Sequence, residues 1–235
     1  MNIVITGASK GIGKAIAEVF AEDKQGHSFY LCARNEAGLQ LAGRELQGRF
    51  PRTNIFTKVC DMGDRESVRV FADWILATAD KIDVLVNNAG LFIPGSVETE
   101  EEGILEKMIS VNLMGTYHLT RALIPVMKEN KSGHIFNICS IASIKAYHNG
   151  GAYSISKFAM LGFSKNLREE MKPLGIKVTS VLPGAVLTDS WAGFDNSNNR
   201  IMEAADIAKM VYAAARLSPQ ACVEEILVRP QLGDL

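Results

Sequence analysis

The chain is expected to adopt an α/β fold in one domain over residues 1–235, a doubly wound parallel sheet of seven strands with helices on both faces. Three observations lead there. Short apolar, β-branched runs alternate with amphipathic helical patterns along the chain, and the connections between them are short. A glycine-rich turn stands directly between the first run and the first helical pattern. With 235 residues and 47% apolar content, the chain can bury a substantial core, and no repeat, low-complexity tract or linker divides it.

Taken in order, the strands are expected at Ile3 to Thr6, Ser28 to Ala33, Asn54 to Cys60, Val84 to Asn87, Gly133 to Ser140, Lys177 to Leu182 and Glu225 to Val228. Helical patterns fill the gaps. Apolar residues recur three and four apart over Gly11 to Asp23, Glu36 to Phe50, Asp64 to Ala79, Glu101 to Gly115, Thr116 to Asn130, Gly151 to Lys172 and Glu203 to Leu217. The segment from about 189 to 202 is polar, rich in Asn and Ser and without a period, and reads as a lid over a site.

Charge and cysteine usage narrow the function classes. The 25 basic and 26 acidic residues nearly cancel and form no long block, so no nucleic-acid surface is expected. No apolar stretch reaches the ~18 residues of a membrane span, and a strand follows Met1 with no signal peptide before it; a cytoplasmic protein is expected. The four cysteines, Cys32, Cys60, Cys139 and Cys222, are scattered, with no His at metal spacing. They read as buried free thiols, and no metal site is expected.

The chemistry-bearing residues fall at the carboxyl ends of the expected strands, where a doubly wound sheet binds its ligand. Gly7, Ser9, Lys10, Gly11, Ile12 and Gly13 form a turn that lets backbone approach a pyrophosphate and aims a helix N-terminus at it. A nucleotide-hydrolase loop is excluded, because Gly13-Lys14 is followed by Ala15. Asp61, after the third strand, either accepts from an adenine amino group or is an ordinary loop aspartate. Asn87, Asn88, Ala89 and Gly90 close the fourth strand, where the amides tie strands together and the glycine admits a cofactor. Asn112 sits within a helix that Asn does not favour, as a functional group or a polar core partner. Tyr153 and Lys157 lie one turn apart on a helix, so an ammonium beside the phenol would draw its pKa down toward the working range. Ser140 ends the apolar run before them.

Together these motifs resemble the classical short-chain dehydrogenases/reductases. The likeness runs through Thr6 to Gly13, Asn87 to Gly90, Asn112, Ser140, Tyr153-x-x-x-Lys157 and Pro183-Gly184-x-Val186-x-Thr188, in family order. It implies a Rossmann fold, a nicotinamide cofactor and no metal. By resemblance, Tyr153 protonates a substrate carbonyl oxygen and Ser140 hydrogen-bonds it. Lys157 holds the nicotinamide ribose and lowers the Tyr153 pKa, Asn112 anchors a water linked to Lys157, and Pro183, Gly184, Val186 and Thr188 meet the nicotinamide end. At the end of the second strand Ala33-Arg34 replaces the acid that NAD-specific sites place there, and Lys10 is a second cation, so NADP(H) is expected.

Substrate choice is less constrained. Gly133 to Phe136, Trp191 and the ending Val223 to Pro230 resemble the bacterial sepiapterin reductases, which reduce a side-chain carbonyl of a pterin. Tyr147, Trp191 and Phe194 would form the slot, and Asp195, Asp189 or Asp234 would hold the aminopyrimidine edge. The alternatives are a 3-oxoacyl carrier-protein reductase, a broad carbonyl or diketone reductase and, in another class, a non-catalytic NADP(H) sensor. Apolar positions Met108, Leu113, Met114, Leu119, Phe158, Leu161 and Phe163, with the family resemblance, lead to a homodimer or homotetramer.

Overall fold

The computed structural model describes residues 1–191 and 193–234. Strands β1 (Asn2–Thr6), β2 (Ser28–Ala33), β3 (Asn54–Val59), β4 (Val84–Asn87), β5 (His134–Ile138), β6 (Lys177–Pro183) and β7 (Glu225–Val228) form one parallel sheet. Its order, β3-β2-β1-β4-β5-β6-β7, places the reversal of winding between β1 and β4. Each expected strand is present, three with the expected bounds and four with an end shifted by one or two residues.

The central strands are apolar on both faces because helices cover both. Alternate residues serve opposite layers: Ile3 and Ile5 pack with helices α1 (Gly11–Ala21), α2 (Glu36–Arg49) and α7 (Ala204–Ala215), while Val4 faces the other way. That second layer holds α3 (Arg65–Thr78), α5 (Gly115–Glu129) and α6 (Gly151–Met171), with Phe71, Ile75, Leu123 and Met171 against the sheet. Phe20 on one face and Phe71 on the other are fully buried, each stabilising the fold by about 1.5–3 kcal/mol. The Glu66–Arg69–Asp73 ion pairs are well exposed, so water and salt screen them and they add little. Burial therefore holds the layers together. Local signals set the helix starts: Asn35 accepts from Gly38 N at 2.7 Å, and Asp64 from Glu66 N at 3.0 Å.

One helical boundary differs from expectation. The patterns over 101–115 and 116–130 are not two helices meeting at Gly115. Helix α4 (Ile104–Ile109) runs through a π turn at Ser110–Met114 into α5 without a break. Gly115 is there for packing, since a Cβ would overlap the Met62 carbonyl oxygen, and the extra residue of the π turn shifts the apolar period at Asn112. Cys32, Cys60 and Cys139 are buried free thiols, whereas Cys222 is only half-buried.

His134 opens β5, at the end of the strand away from the ligand-binding edge. Its ring stacks on Phe136 at 3.9 Å. Nε2 lies 2.7 Å from Thr179 Oγ1, whose own proton goes to Val223 O at 2.5 Å, so Nε2–H donates and Nδ1 carries the lone pair. Nδ1 has no partner among the described residues. Burial, then the nearby Lys177 charge, lowers its pKa to about 3. The folded state thus favours the neutral ring. Its contribution to stability is complete above the ordinary value of 6.5 and is lost as pH falls from there toward about 3, with a slope of up to ~1.4 kcal/mol per pH unit. Urea unfolding at pH 7.5, 6 and 5 should show the midpoint falling with pH, and His134→Phe should flatten that fall; an equal slope in the variant would contradict this account.

Candidate active site

Thr6, the last residue of β1, closes the switch point. Its hydroxyl oxygen accepts from Asn88 N at 3.0 Å and Ala89 N at 2.9 Å, while the Asn88 side chain donates to Thr6 O at 2.9 Å and Gly7 O at 3.1 Å. Behind it, Asn87 Nδ2 donates to Thr120 Oγ1 at 3.0 Å and Asn137 Oδ1 at 2.8 Å. The consecutive amides tie β1, β4 and β5 together, as their burial demands.

Three glycines then shape the turn. Gly7 and Gly11 have φ of +66° and +56°, and a Cβ on Gly7 would lie 2.9 Å from Ala89 Cα. No side chain caps the start of α1, leaving its first N–H groups to face the cleft. Gly13 departs from the expected role. It does not line the cleft but packs beneath it, where a Cβ would sit 2.5 Å from both Gly7 O and Asn88 Nδ2. The missing Cβ lets the turn pack closely against the Asn88 side chain.

The cleft has a volume of about 420 Å³ and runs along the carboxyl ends of the strands. Gly7, Ser9, Lys10, Gly11 and Ile12 line one side. Arg34 and Asp61 line the end beyond β2 and β3, and Asn88, Ala89 and Gly90 the floor beyond β4. Pro183, Gly184, Val186 and Thr188 close it beyond β6, with Ser140, Tyr153, Lys157 and Trp191 at the same end. Asp61 accepts from Gly63 N at 2.8 Å. Lys10 forms an ion pair with Asp189, joining the glycine turn to the start of the 189–202 segment; within that segment Ala192 lies outside the described residues.

Tyr153 and Lys157 share one face of α6, Lys157 buried and Tyr153 half-buried at the cleft wall. Lys157 Nζ donates to Ile138 O at 2.9 Å and lies 5.8 Å from the Tyr153 ring centre. Phe92 packs edge-on against Tyr153, with ring centres 4.9 Å apart. The electrostatics differ from the sequence expectation, in which the ammonium draws the phenol down. Burial dominates both groups, raising the Tyr153 pKa against a smaller opposing effect of the Ser140 hydroxyl, and lowering that of Lys157. The phenol is therefore protonated at neutral pH, ready to donate. Ser140 accepts from Ala142 N at 3.1 Å, which aims its hydroxyl oxygen and keeps its O–H for another partner.

Asn112 is buried between the chain that follows β4 and α6. Its Oδ1 accepts from Leu91 N at 2.6 Å, and its Nδ2 donates to Leu91 O at 2.9 Å and Ser156 Oγ at 2.9 Å. Both amide protons are used within the protein. It is a positioning residue, clamping the Leu91 backbone and the face of α6 that carries Tyr153. The polar-core alternative is the one its contacts support.

A second cavity of about 320 Å³ opens from the same end of the cleft. Ser140, Tyr153, Phe92 and Trp191 line both. Tyr147 and Asp234 form its far wall. Burial, then the neighbouring Tyr153, raises the Tyr147 pKa to about 12. Asp234 receives Arg229 Nε at 3.0 Å and Nη2 at 2.5 Å, with Lys145 Nζ at 3.5 Å. Arg229, opposed by burial and aided by Lys145, holds its carboxyl below the usual range. Asp195 lines neither cavity: its carboxylate accepts from Ser197 N at 2.9 Å, in a local turn. Phe92 belongs to no motif, and its only signal in the sequence is an aromatic residue just past Gly90.

The short chain dehydrogenase family model matches residues 1–199, and the chain belongs to this family of oxidoreductases. It is 35% identical to a sepiapterin reductase of Chlorobaculum tepidum, over 99% of this chain and 97% of that protein. A metagenomic short-chain oxidoreductase solved with NADP superposes with a TM-score of 0.84 at 33% identity, over 98% of this chain and 97% of that one. An alcohol dehydrogenase of Thermococcus sibiricus, solved with 5-hydroxy-NADP, superposes with a TM-score of 0.90 at 29% identity, over 98% and 96%.

Replacing Asn112 by Ala strands the Leu91 N–H and the Leu91 carbonyl and removes the donor to Ser156 Oγ, which still donates to the Tyr153 carbonyl. The expected cost is about 2–4 kcal/mol of unfolding free energy, read from urea denaturation. A loss of under about 0.5 kcal/mol would show that the clamp is not needed.

Proposed function

We propose that the chain is an NADPH-dependent carbonyl reductase that converts a ketone to a secondary alcohol, with sepiapterin or a related pterin as the substrate class. The observation that carries this reading is the shared wall of the two cavities. Tyr153 and Ser140 face both the cleft that begins at the glycine turn and the aromatic-lined cavity that ends at Asp234.

The residues present fit a dinucleotide. The glycine turn offers a cradle that any Cβ at Gly7 would fill, and the N-terminal N–H groups of α1 suit a pyrophosphate. Arg34 and Lys10 lie at the cleft, where a 2′-phosphate would meet two cations and no carboxylate from the second strand. Lys10 would exchange Asp189 for that phosphate. Pro183, Gly184, Val186 and Thr188 would hold the nicotinamide end, and Lys157 its ribose. When bound, the reduced nicotinamide supplies hydride to the carbonyl carbon. Ser140 orients the carbonyl oxygen by donating its O–H, and Tyr153 transfers its phenolic proton to that oxygen. A phenol held protonated by burial suits the reducing direction.

The pterin reading draws on the Chlorobaculum tepidum relative and on the chemistry of the second cavity. Trp191 and Tyr147 supply flat apolar walls, and Asp234, ionised at neutral pH, is the carboxylate suited to an aminopyrimidine edge. The segment 189–202 serves as the lid. The test is NADPH and NADH oxidation with sepiapterin, a short 3-oxoacyl thioester and an aromatic diketone. Preference for sepiapterin with NADPH is expected; Tyr153→Phe should lower kcat by about 10²–10⁴ with cofactor affinity nearly kept, and Arg34→Ala should weaken NADPH far more than NADH. Parental turnover in Tyr153→Phe would refute the mechanism, and preference for either other carbonyl would refute the substrate.

Assembly follows from exposed apolar side chains. Met114, Ile155 and Phe158 are each more than 40% exposed, although Met108, Leu119 and Leu161 are buried within the subunit. We propose that this face of α4, α5 and α6 is covered by a second copy. Light scattering should give at least a dimer, and Phe158→Glu should shift it toward monomer; a monomeric parent protein would exclude the pairing.

A further inference from the structure

The carboxylate that closes the second cavity belongs to a C-terminal tail with little secondary structure to hold it. After β7 the chain turns at Pro230, with Gly233 N donating to Pro230 O at 2.8 Å and Gly233 at φ +84°. That turn sets a direction but offers one hydrogen bond. The tail needs a second restraint if Asp234 is to keep one position on the cavity wall.

Arg200 supplies it. The guanidinium Nη1 donates to Gly233 O at 3.0 Å, and Nη2 to Asp234 O at 3.0 Å. This fork grips two successive backbone carbonyls and leaves the Asp234 carboxylate to other partners. Arg200 itself is rooted in ordered structure. Next to it Ile201 is buried, and its N–H donates to Asn196 Oδ1 at 3.0 Å. Then Met202 bridges to the cleft segment, with Leu187 N donating to Met202 O at 2.8 Å and Met202 N to Ala185 O at 3.1 Å. The guanidinium therefore joins the root of the 189–202 segment to the tail. Arg229 and Lys145 grip the carboxylate, but both are substantially exposed, and the Lys145 contact is 3.5 Å.

We infer that Arg200 is a positioning residue for substrate selection: it straps the C-terminal tail so that Asp234 stands at the wall of the substrate cavity. The inference rests on the pterin reading for what Asp234 meets, and on the contacts above for what Arg200 does. Loosening the strap should weaken binding of a substrate that reaches Asp234 and leave proton transfer at Tyr153 in place.

Two readouts separate these parts. In hydrogen–deuterium exchange on the full chain without substrate, Arg200→Ala should speed exchange of the peptide covering 229–235, with Arg200→Lys, which keeps the charge but not the fork, in between. In steady-state assays, Arg200→Ala should raise the KM for sepiapterin about tenfold while changing kcat less than about twofold. Asp234→Asn should raise KM similarly, and the double variant should be no worse than either alone. Unchanged tail exchange in Arg200→Ala overturns the strap. So does a raised KM in Asp234→Asn with a parental KM in Arg200→Ala. A parent protein inactive on sepiapterin, with faster tail exchange in Arg200→Ala, overturns the pterin reading and leaves the strap standing.

Discussion

The tie at Thr6 is the constraint on which the site depends. In a parallel sheet that winds outward in both directions from β1 and β4, the chain leaves these two strands toward opposite faces and opens a crevice between them. A single hydroxyl accepting two backbone N–H groups sets how far that crevice opens. The Asn88 amide on Thr6 O and Gly7 O then fixes the glycine turn to β4, and Gly13 can only be glycine because those same atoms crowd it. Everything that would meet a dinucleotide phosphate is placed by this small set of contacts.

At the other end of the cleft, burial rather than pairing governs the ionisable groups. Lys157 is buried and Tyr153 half-buried, and desolvation pushes each toward its neutral form. The Lys157 ammonium donates to the Ile138 carbonyl and lies 5.8 Å from the Tyr153 ring centre. A protonated phenol and a serine hydroxyl put two O–H donors at one end of the cleft, and in the proposed reduction both would meet the carbonyl oxygen. The π turn at Asn112 serves the same end from behind, because its side chain braces Leu91 and α6 together.

The strands and the Tyr153–Lys157 pair were legible because their signals are local. A β-branched run, a cap such as Asn35 or Asp64, or a Tyr and Lys one turn apart can be read within a few residues. The residues that were misplaced are those whose role depends on what the rest of the chain brings to them. Asp195 looked suitable by composition, but a turn of two residues captures its carboxylate for Ser197. Asp234 was one of three carboxylates considered from the sequence, and it lines the second cavity with its backbone carbonyl and that of Gly233 held by Arg200. Asn112 announced itself as an anomaly in a helix, yet the partner that explains it, Leu91, lies on a separate loop.

By itself, then, the sequence determined the parallel α/β architecture, the glycine turn and the Tyr153–Lys157 face, since periodicity, turn chemistry and helical spacing act over short range. His134, part of the segment that resembled the pterin reductases, proved to sit at the amino-terminal end of β5, where it contributes to stability and not to the site. The tertiary structure alone decided which carboxylate lines the second cavity, which amide braces the helix and how burial shifts Tyr153 and Lys157 toward their neutral forms. These depend on desolvation and on contacts between segments far apart in the chain, and no local pattern carries that information.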